Sequence, residues 1–542
     1  MADGMPSICL SLQILNRVIA STGIFVLLSL LGLVSYRLLL HPLARTPGPS
    51  LAGISSAWLA YHVRNGRSVS IGRELHHKYG PMVRVGPNEV WFNTKESFRA
   101  IYNHGSRFEK SEFYLATALP RPELDWKLQP ISVDSLDLLS ERDMKRYRKQ
   151  RRAVGPLYQA TSLAQYEGAI DDVLSRAVQR LKGLDGESLD LKEWMHMIAV
   201  ECLGAVVLSW SPGMIKKGTD GGTSHHSYLS WRRKSVFGLF PTTMKLAYLS
   251  KTLDRIFSVI WGITYKPPRN FRTFFPVCGS CIVYLRLDRR LMIVQDVGKK
   301  VSKRINIILN RQSKPGAYHD LMTDLIDLHH RKPDFTESYL KRMAVTNFGA
   351  GHETLASTLT STFTLLASDE RSYQRVATEV RAREQPARFE TASSLQLLQA
   401  SINEAKRLRP VIGMSLSRSV PHGGMLLHDQ FFPAGTTVGC NPTALHCNTD
   451  ICGSNPRRYN IDRWADPDTS RDMETFSLSW GGGSRTCPGR HLAELILFKT
   501  VATLIQHFEM QVTVPHEEDM PSYFMSMPTG VQVQFHKVND VQ

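Results

Sequence analysis

Cysteine is scarce in this chain, with eight in 542 residues: Cys9, Cys202, Cys278, Cys281, Cys440, Cys447, Cys452 and Cys487. That density excludes a disulfide-stapled scaffold and fits a reducing compartment. Cys278 and Cys281 form a lone CxxC, with no second CxxC, no HxxxH and no surrounding βαβ pattern, so two incidental thiols explain them better than a zinc or redox pair. Acid is short too. The 49 Asp+Glu against 66 Lys+Arg leave a net charge of +17, which favours an acidic partner, an anionic membrane surface or nucleic acid without choosing among them. Internal repeats are missing, as is any long Gly/Ser/Pro linker after residue 50. A composition of 42% hydrophobic and 21% charged residues excludes disordered, collagen-like and low-complexity chains.

Charge is absent from one stretch near the N-terminus. Residues 18–36 are nineteen uncharged, mostly apolar positions between Arg17 and Arg37, and with Leu38 to Leu40 they can cross about 30 Å of hydrocarbon as a helix. No clear small-residue cleavage site follows, so a retained span is expected rather than a cleaved signal. Five arginines (Arg37, Arg45, Arg64, Arg67, Arg73) precede the first acid, Glu74, on the C-terminal side, against Arg17 and Asp3 on the other. The bulk of the chain is therefore expected in the cytosol. The expected division is a short lumenal N-terminus (1–17), a transmembrane anchor (18–40), a Pro-rich hinge (41–50, with Pro42, Pro47 and Pro49) and a body (51–542).

In the body, residues 82–85 and 89–92 around Gly86-Pro87-Asn88 predict a two-stranded hairpin. Beyond it, amphipathic periodicity predicts helices near 165–183, 190–209, 291–310, 336–367, 369–383 and 395–408. The expected fold is mainly α with a minor β-sheet, in one large domain behind the N-terminal transmembrane helix.

The chemistry concentrates in the last 200 residues. Residues 480–491 place Cys487 after a glycine-rich turn and before an apolar helical run, 492–504. Gly483 permits a tight turn, and Pro488 suits the first helical position, which would set Cys487 at a helix N-terminus where N–H groups and the dipole favour a thiolate. Such a thiolate is a good axial ligand for haem iron, and Arg485 is placed to reach a haem propionate. A buried structural cysteine remains the other reading of this loop.

The loop resembles the haem-binding segment of the cytochrome P450 family, Phe-x-x-Gly-x-Arg-x-Cys-x-Gly. Gly483, Arg485, Cys487 and Gly489 match, and Trp480 stands where the family usually has Phe. Glu404-Ala405-Lys406-Arg407 is similar to the family's Glu-x-x-Arg helix, whose spacing puts both charges on one face. The third member of that network is expected at Arg463, in a stretch where Asp462 and Ile461 replace the family's Glu and Pro. Ala350-Gly351-His352-Glu353-Thr354 resembles the oxygen-activation motif, implying Glu353 and Thr354 as a proton-relaying acid–alcohol pair. His352 is expected on the outer side of its helix. The basic run 145–152 sits where the family's Trp-x-x-x-Arg helix should lie, with Tyr147 for Trp and Arg151 as the propionate-binding residue. Arg418 and His446 are expected near the haem by approximate position.

Together these segments imply a haem-thiolate monooxygenase of the cytochrome P450 family over residues 41–515, most like fungal microsomal members. The resemblance implies haem b with Cys487 as axial ligand, O2, a small lipophilic substrate, the endoplasmic reticulum membrane and a separate NADPH-cytochrome P450 reductase, since no flavin or nicotinamide motif is visible. Nucleic acid is not expected as a partner, because the basic run lacks interleaved stacking residues. Desaturation, ring expansion or C–C coupling are alternative outcomes of the same fold, and a non-catalytic haem protein is an alternative of another class. Substrate determinants are expected at 108–136, 228–265 and 411–416. Residues 237–241 are compatible both with dipping into the membrane and with an ordinary core loop.

Overall fold

The structure, a computed structural model, describes residues 5–118, 122–131, 136–264, 296–309, 319–385 and 387–538. An α-helix, Met5–Ser35, starts well before the expected boundary at residue 18 and gives way to a π-helical turn, Tyr36–Leu40. It ends at His41, whose extended backbone (ψ 143°) precedes Pro42. Its apolar part, Leu15–Leu40, is 26 residues long with mean hydropathy 2.3, and none of the most apolar window is buried against the body. The proline-rich exit is docked rather than loose. Leu43 is fully buried, and the buried Arg84 of the hairpin donates to the carbonyls of Arg37 (2.9 Å) and Pro87 (2.8 Å).

The hairpin forms from Met82–Gly86 and Glu89–Phe92, in antiparallel register Val83↔Trp91. It opens a five-stranded sheet in which Glu89–Phe92 runs parallel to Thr437–Cys440, followed by Arg418–Ser419 and Glu109–Lys110. A three-stranded sheet (Leu189–Asp190, Gln532–Lys537, Phe508–Thr513) and a two-stranded one (Met425–Leu427, Gln430–Phe432) complete the strands among the described residues. The rest is helical. Glu167–Lys182, Leu191–Leu208, Glu370–Arg381 and Gln396–Leu408 fall within about two residues of the expected periods, and Asp296–Leu309 covers the described part of 291–310. Cys278 and Cys281 lie outside the described residues.

The helix Glu337–Ala367 runs through the core, capped by Thr336, whose hydroxyl accepts the Tyr339 N–H. Its buried C-terminal half is rich in threonine. Thr358, Thr360, Thr362 and Thr364 each donate to the carbonyl four residues back, which satisfies their hydroxyls inside apolar surroundings. At Gly351 a Cβ would stand 2.9 Å from Leu203 Cδ1, so glycine is what lets this helix close on Leu191–Leu208. The helix after the cysteine loop is Arg490–His507 with Gly489 as its N-cap. Pro488 therefore precedes the helix instead of occupying its first position. Phe237 and Leu239 are buried in the core, while Phe240 and Pro241 are half-buried. The exposed apolar side chains begin farther on, at Leu246, Leu249, Leu253, Ile256, Val259 and Ile260.

Candidate active site

The cysteine loop is closed by the Cys487 N–H donating to the Trp480 carbonyl at 2.7 Å. Gly483 has φ +59°, and a Cβ there would lie 2.1 Å from the Tyr102 carbonyl oxygen, so both backbone and neighbour demand glycine. At Gly489 a Cβ would meet no protein atom within 4 Å; the residue lines the cavity that also holds Cys487. Because the helix begins only at Arg490, Cys487 lies outside its first turn and gains less from the helix N-terminus than the sequence suggests. Burial pushes the Cys487 thiol up, against the opposing pull of the Gly489 N–H and the Arg151 charge. A thiol so placed becomes an anion readily only beside a bound cation.

The cavity measures about 750 Å³. Cys487 and Arg485 line it, as do Ala350, Glu353 and Thr354 from the core helix. Around it gathers a cluster of cations without anionic partners. Arg485 donates to the backbone carbonyls of Glu141 (2.7 Å) and Arg142 (2.7 Å), yet its Nε is buried with no partner. Arg418 is buried and donates to the carbonyls of Leu416 (3.0 Å) and Ser417 (3.1 Å). Lys110 is buried and donates to the Leu139 carbonyl at 2.6 Å. Burial and the charges of Arg485 and Arg418 hold the Lys110 ammonium well below its usual range, and burial with Arg418 lowers Arg485 to about 10. Among the described residues none of the three has a carboxylate within ion-pair distance. Arg151 lies outside the cavity wall, and its Nη1 is buried without a partner. Buried, mutually repelling cations beside a thiol call for a group that carries its own negative charges and a thiolate-seeking metal. Haem, with two propionates and iron, fits that requirement.

On the core helix, the Thr354 hydroxyl donates to the Ala350 carbonyl (2.7 Å) and more weakly to that of Gly351 (3.3 Å). Glu353 is buried and turns elsewhere, its Oε2 accepting the Trp231 indole N–H at 2.6 Å while Oε1 has no partner. His352 does not face outward. It is 2% exposed, lines the cavity, hydrogen-bonds the Phe348 carbonyl through Nδ1 (2.6 Å) and meets the Ser227 hydroxyl through Nε2 (3.3 Å). Burial keeps it neutral, lowering its pKa to about 4.

Glu404 is completely buried and fully coordinated. It accepts from Arg407 Nη2 (2.7 Å) and Nε (2.8 Å), from Arg463 Nε (3.4 Å), from the Asn460 N–H (3.2 Å) and from the Trp464 indole (3.0 Å). Arg407 Nη1 passes the connection to the carbonyls of His446 (2.9 Å) and Pro456 (2.7 Å). His446 belongs to this scaffold and not to the cavity. Its Nε2 accepts the Leu478 N–H at 2.9 Å, two residues before Trp480 opens the cysteine loop.

A half-buried cysteine lining an apolar cavity, with a cluster of unpaired cations on a mostly helical frame, defines a haem-thiolate class of enzyme. The chain belongs to the cytochrome P450 family, whose profile matches residues 47–535. It is 49% identical to the cytochrome P450 monooxygenase sdnT of Sordaria araneosa, over 94% of this chain and 93% of that protein. The cytochrome P450 monooxygenase hepC of Aspergillus oryzae is 29% identical over 88% of this chain and 89% of its own. A pisatin demethylase of Fusarium vanettenii is 27% identical over 87% and 85%. The protein is thus a cytochrome P450 monooxygenase, and the family's cofactor is haem iron held by a cysteine thiolate.

Sequence reasoning missed Lys110, Trp231 and the buried pair His196–Asp220, whose Nδ1 and Oδ2 lie 3.2 Å apart. No local pattern marks them, since each meets its partners only through packing of segments distant in sequence.

Proposed function

We propose that this chain is a membrane-anchored monooxygenase that draws electrons from a separate NADPH-cytochrome P450 reductase and oxidises a small lipophilic compound of fungal secondary metabolism. The observation that carries the reading is the cavity that brings Cys487, Arg485, Arg418 and Thr354 together. Haem, when bound, supplies the activation of O2. Cys487 is the proposed thiolate ligand; Arg485, Arg418 and Arg151 would hold the propionates through the donors left free, and Gly483 and Gly489 keep the loop's shape and room. Glu404, Arg407 and Arg463 are the proposed structural network beneath it.

Glu353 and Thr354 are the proposed proton-handling residues. Glu353 offers one unpartnered carboxylate oxygen, and the Thr354 hydroxyl can turn from the Ala350 carbonyl to hold a proton donor in the cavity. The helix Met144–Val154 buries Tyr147 and leaves Arg148, Lys149 and Arg152 on the outside, a basic face suited to an acidic electron donor. Residues 18–40, within the helix Met5–Ser35 and its π-helical extension, are the proposed single-pass anchor in the endoplasmic reticulum membrane, with residues 1–17 lumenal and the body after the 41–50 segment cytosolic. The exposed Leu253, Ile256, Val259 and Ile260 of the helix Lys251–Ile260 would add lipid contact, and Arg64 ties the end of that helix to the start of the body through the Trp261 carbonyl.

The test is Thr354→Ala. Haem content and substrate-induced spectral change should stay near wild type while product per reductant consumed falls by about 10²-fold and peroxide rises. Unchanged coupling would remove Thr354 from proton handling, and loss of haem would make it structural.

A further inference from the structure

The helix Thr223–Gly238 presents one stripe to the cavity. Thr223, Ser227, Ser230 and Lys234 all line it, and their spacing of four, three and four residues is that of a single helical face. The stripe runs about 16 Å along the helix axis at 1.5 Å per residue. Much of the remaining wall is apolar, including Ala116, Ala118, Ile412, Leu416, Phe524 and Met525. Thr223 and Ser227 already bond the Asp220 carbonyl and His352, so a plain hydrocarbon here would strip water from Ser230 and Lys234 without repayment.

Lys234 closes the rail. Its ammonium sits 4.7 Å from the centre of the Trp231 ring, and among the described residues no carboxylate lies within ion-pair distance of it. Trp231 is itself fixed by its hydrogen bond to Glu353 and by stacking on Phe524 at 5.6 Å. The ammonium is therefore aimed by a rigid aromatic platform and stands on a different element from Arg418 and Arg485, the arginines proposed for the cofactor, and from Lys110 beside them.

Hydrogen-bond direction is also set. The Phe348 carbonyl can only accept, so His352 Nδ1 carries the proton; Nε2 of the neutral ring then accepts from Ser227, whose oxygen lone pairs stay available for a donor in the cavity.

Resting on the reading of this cavity as the substrate site of a monooxygenase, we propose that the substrate is an amphiphilic carboxylic acid. Its apolar skeleton lies against the Ile412–Phe524 wall, its carboxylate pairs with Lys234, and a hydroxyl on the same edge donates to Ser227.

The test uses full-length, haem-loaded enzyme titrated with adamantane-1-carboxylate and with its methyl ester, followed by the ligand-induced shift of the haem spectrum. Lys234→Met should weaken carboxylate binding by about tenfold or more while ester binding stays within about twofold, and Lys234→Arg should retain the preference for the acid. Equal losses for acid and ester would make Lys234 a packing residue and overturn the proposal, as would unchanged carboxylate affinity. Restoration of acid binding in Lys234→Met by adding Glu353→Gln would show that the lysine only balances Glu353, and would also overturn it. Any of these results in an enzyme that keeps its thiolate spectrum leaves the monooxygenase reading standing; loss of that spectrum in the wild type would remove the reading itself.

Discussion

The guanidinium of Arg485 lies 3.8 Å from the centre of the Tyr147 ring, and the Tyr147 hydroxyl donates to the Ser484 carbonyl at 3.0 Å. One aromatic residue on the helix Met144–Val154 thus both stacks on the arginine proposed to hold the cofactor and pins the loop that carries it. Tyr147→Phe keeps the stack and loses one neutral hydrogen bond, a cost of about 1 kcal/mol. Tyr147→Ala removes both and should lower haem occupancy several-fold, read from the ratio of haem to protein absorbance. Equal occupancy in the two variants would contradict this role.

Glu404→Gln tests the scaffold under the site. The substitution keeps shape but leaves the buried guanidiniums of Arg407 and Arg463 without their counter-charge, a change of about 3–5 kcal/mol. The variant should express mainly as insoluble protein, and any soluble fraction should show a markedly lower denaturant midpoint. A midpoint within error of wild type would contradict the assignment of this network as structural.

Acid should take stability from the fold through its buried histidines. His76, His352 and His446 are buried and held neutral, with burial as the main cause, and each has a pKa lowered to about 4. The unfolded chain takes up a proton near pH 6.5 and the native state does not until about pH 4. Stability contributed by the neutral rings is therefore complete above about pH 6.5 and is lost as pH falls from there to about 4. At pH 5 the loss is of the order of 2 kcal/mol per histidine. His446→Asn supplies an uncharged acceptor for the Leu478 N–H, so it should flatten the pH dependence of the urea midpoint between pH 7.5 and 5. An unchanged slope would exclude His446 from that linkage.

Much of the fold is legible in the sequence because its signals are local. The helices Glu167–Lys182 and Glu370–Arg381 announce themselves by apolar period, and Asp143, Asp190, Thr336 and Asp369 cap their helices through their own side chains. The Glu404–Arg407 pair and the Cys487 loop are short-range patterns as well. What the sequence hides is set by packing at long range. His352 stands in a helix whose local pattern reads equally well with that side chain exposed or buried; only the approach of Leu191–Leu208 and Thr223–Gly238 encloses it. Pro488 has the right chemistry for a helix start, yet the Gly489 N-cap places the start at Arg490, two residues later. Position alone puts His446 near the haem, whereas its partners Arg407 and Leu478 come from segments that no local pattern connects.

The proposed role of Cys487 is to supply, alone among the eight cysteines, the sulfur for haem iron. The ferrous carbon monoxide spectrum of Cys487→Ser, recorded beside wild type and beside a variant with Cys440, Cys447 and Cys452 replaced by alanine, tests it most directly. Wild type and the triple variant are expected to show the thiolate-type absorption band, and Cys487→Ser is expected to lose it; a thiolate band that survives in Cys487→Ser would contradict the account.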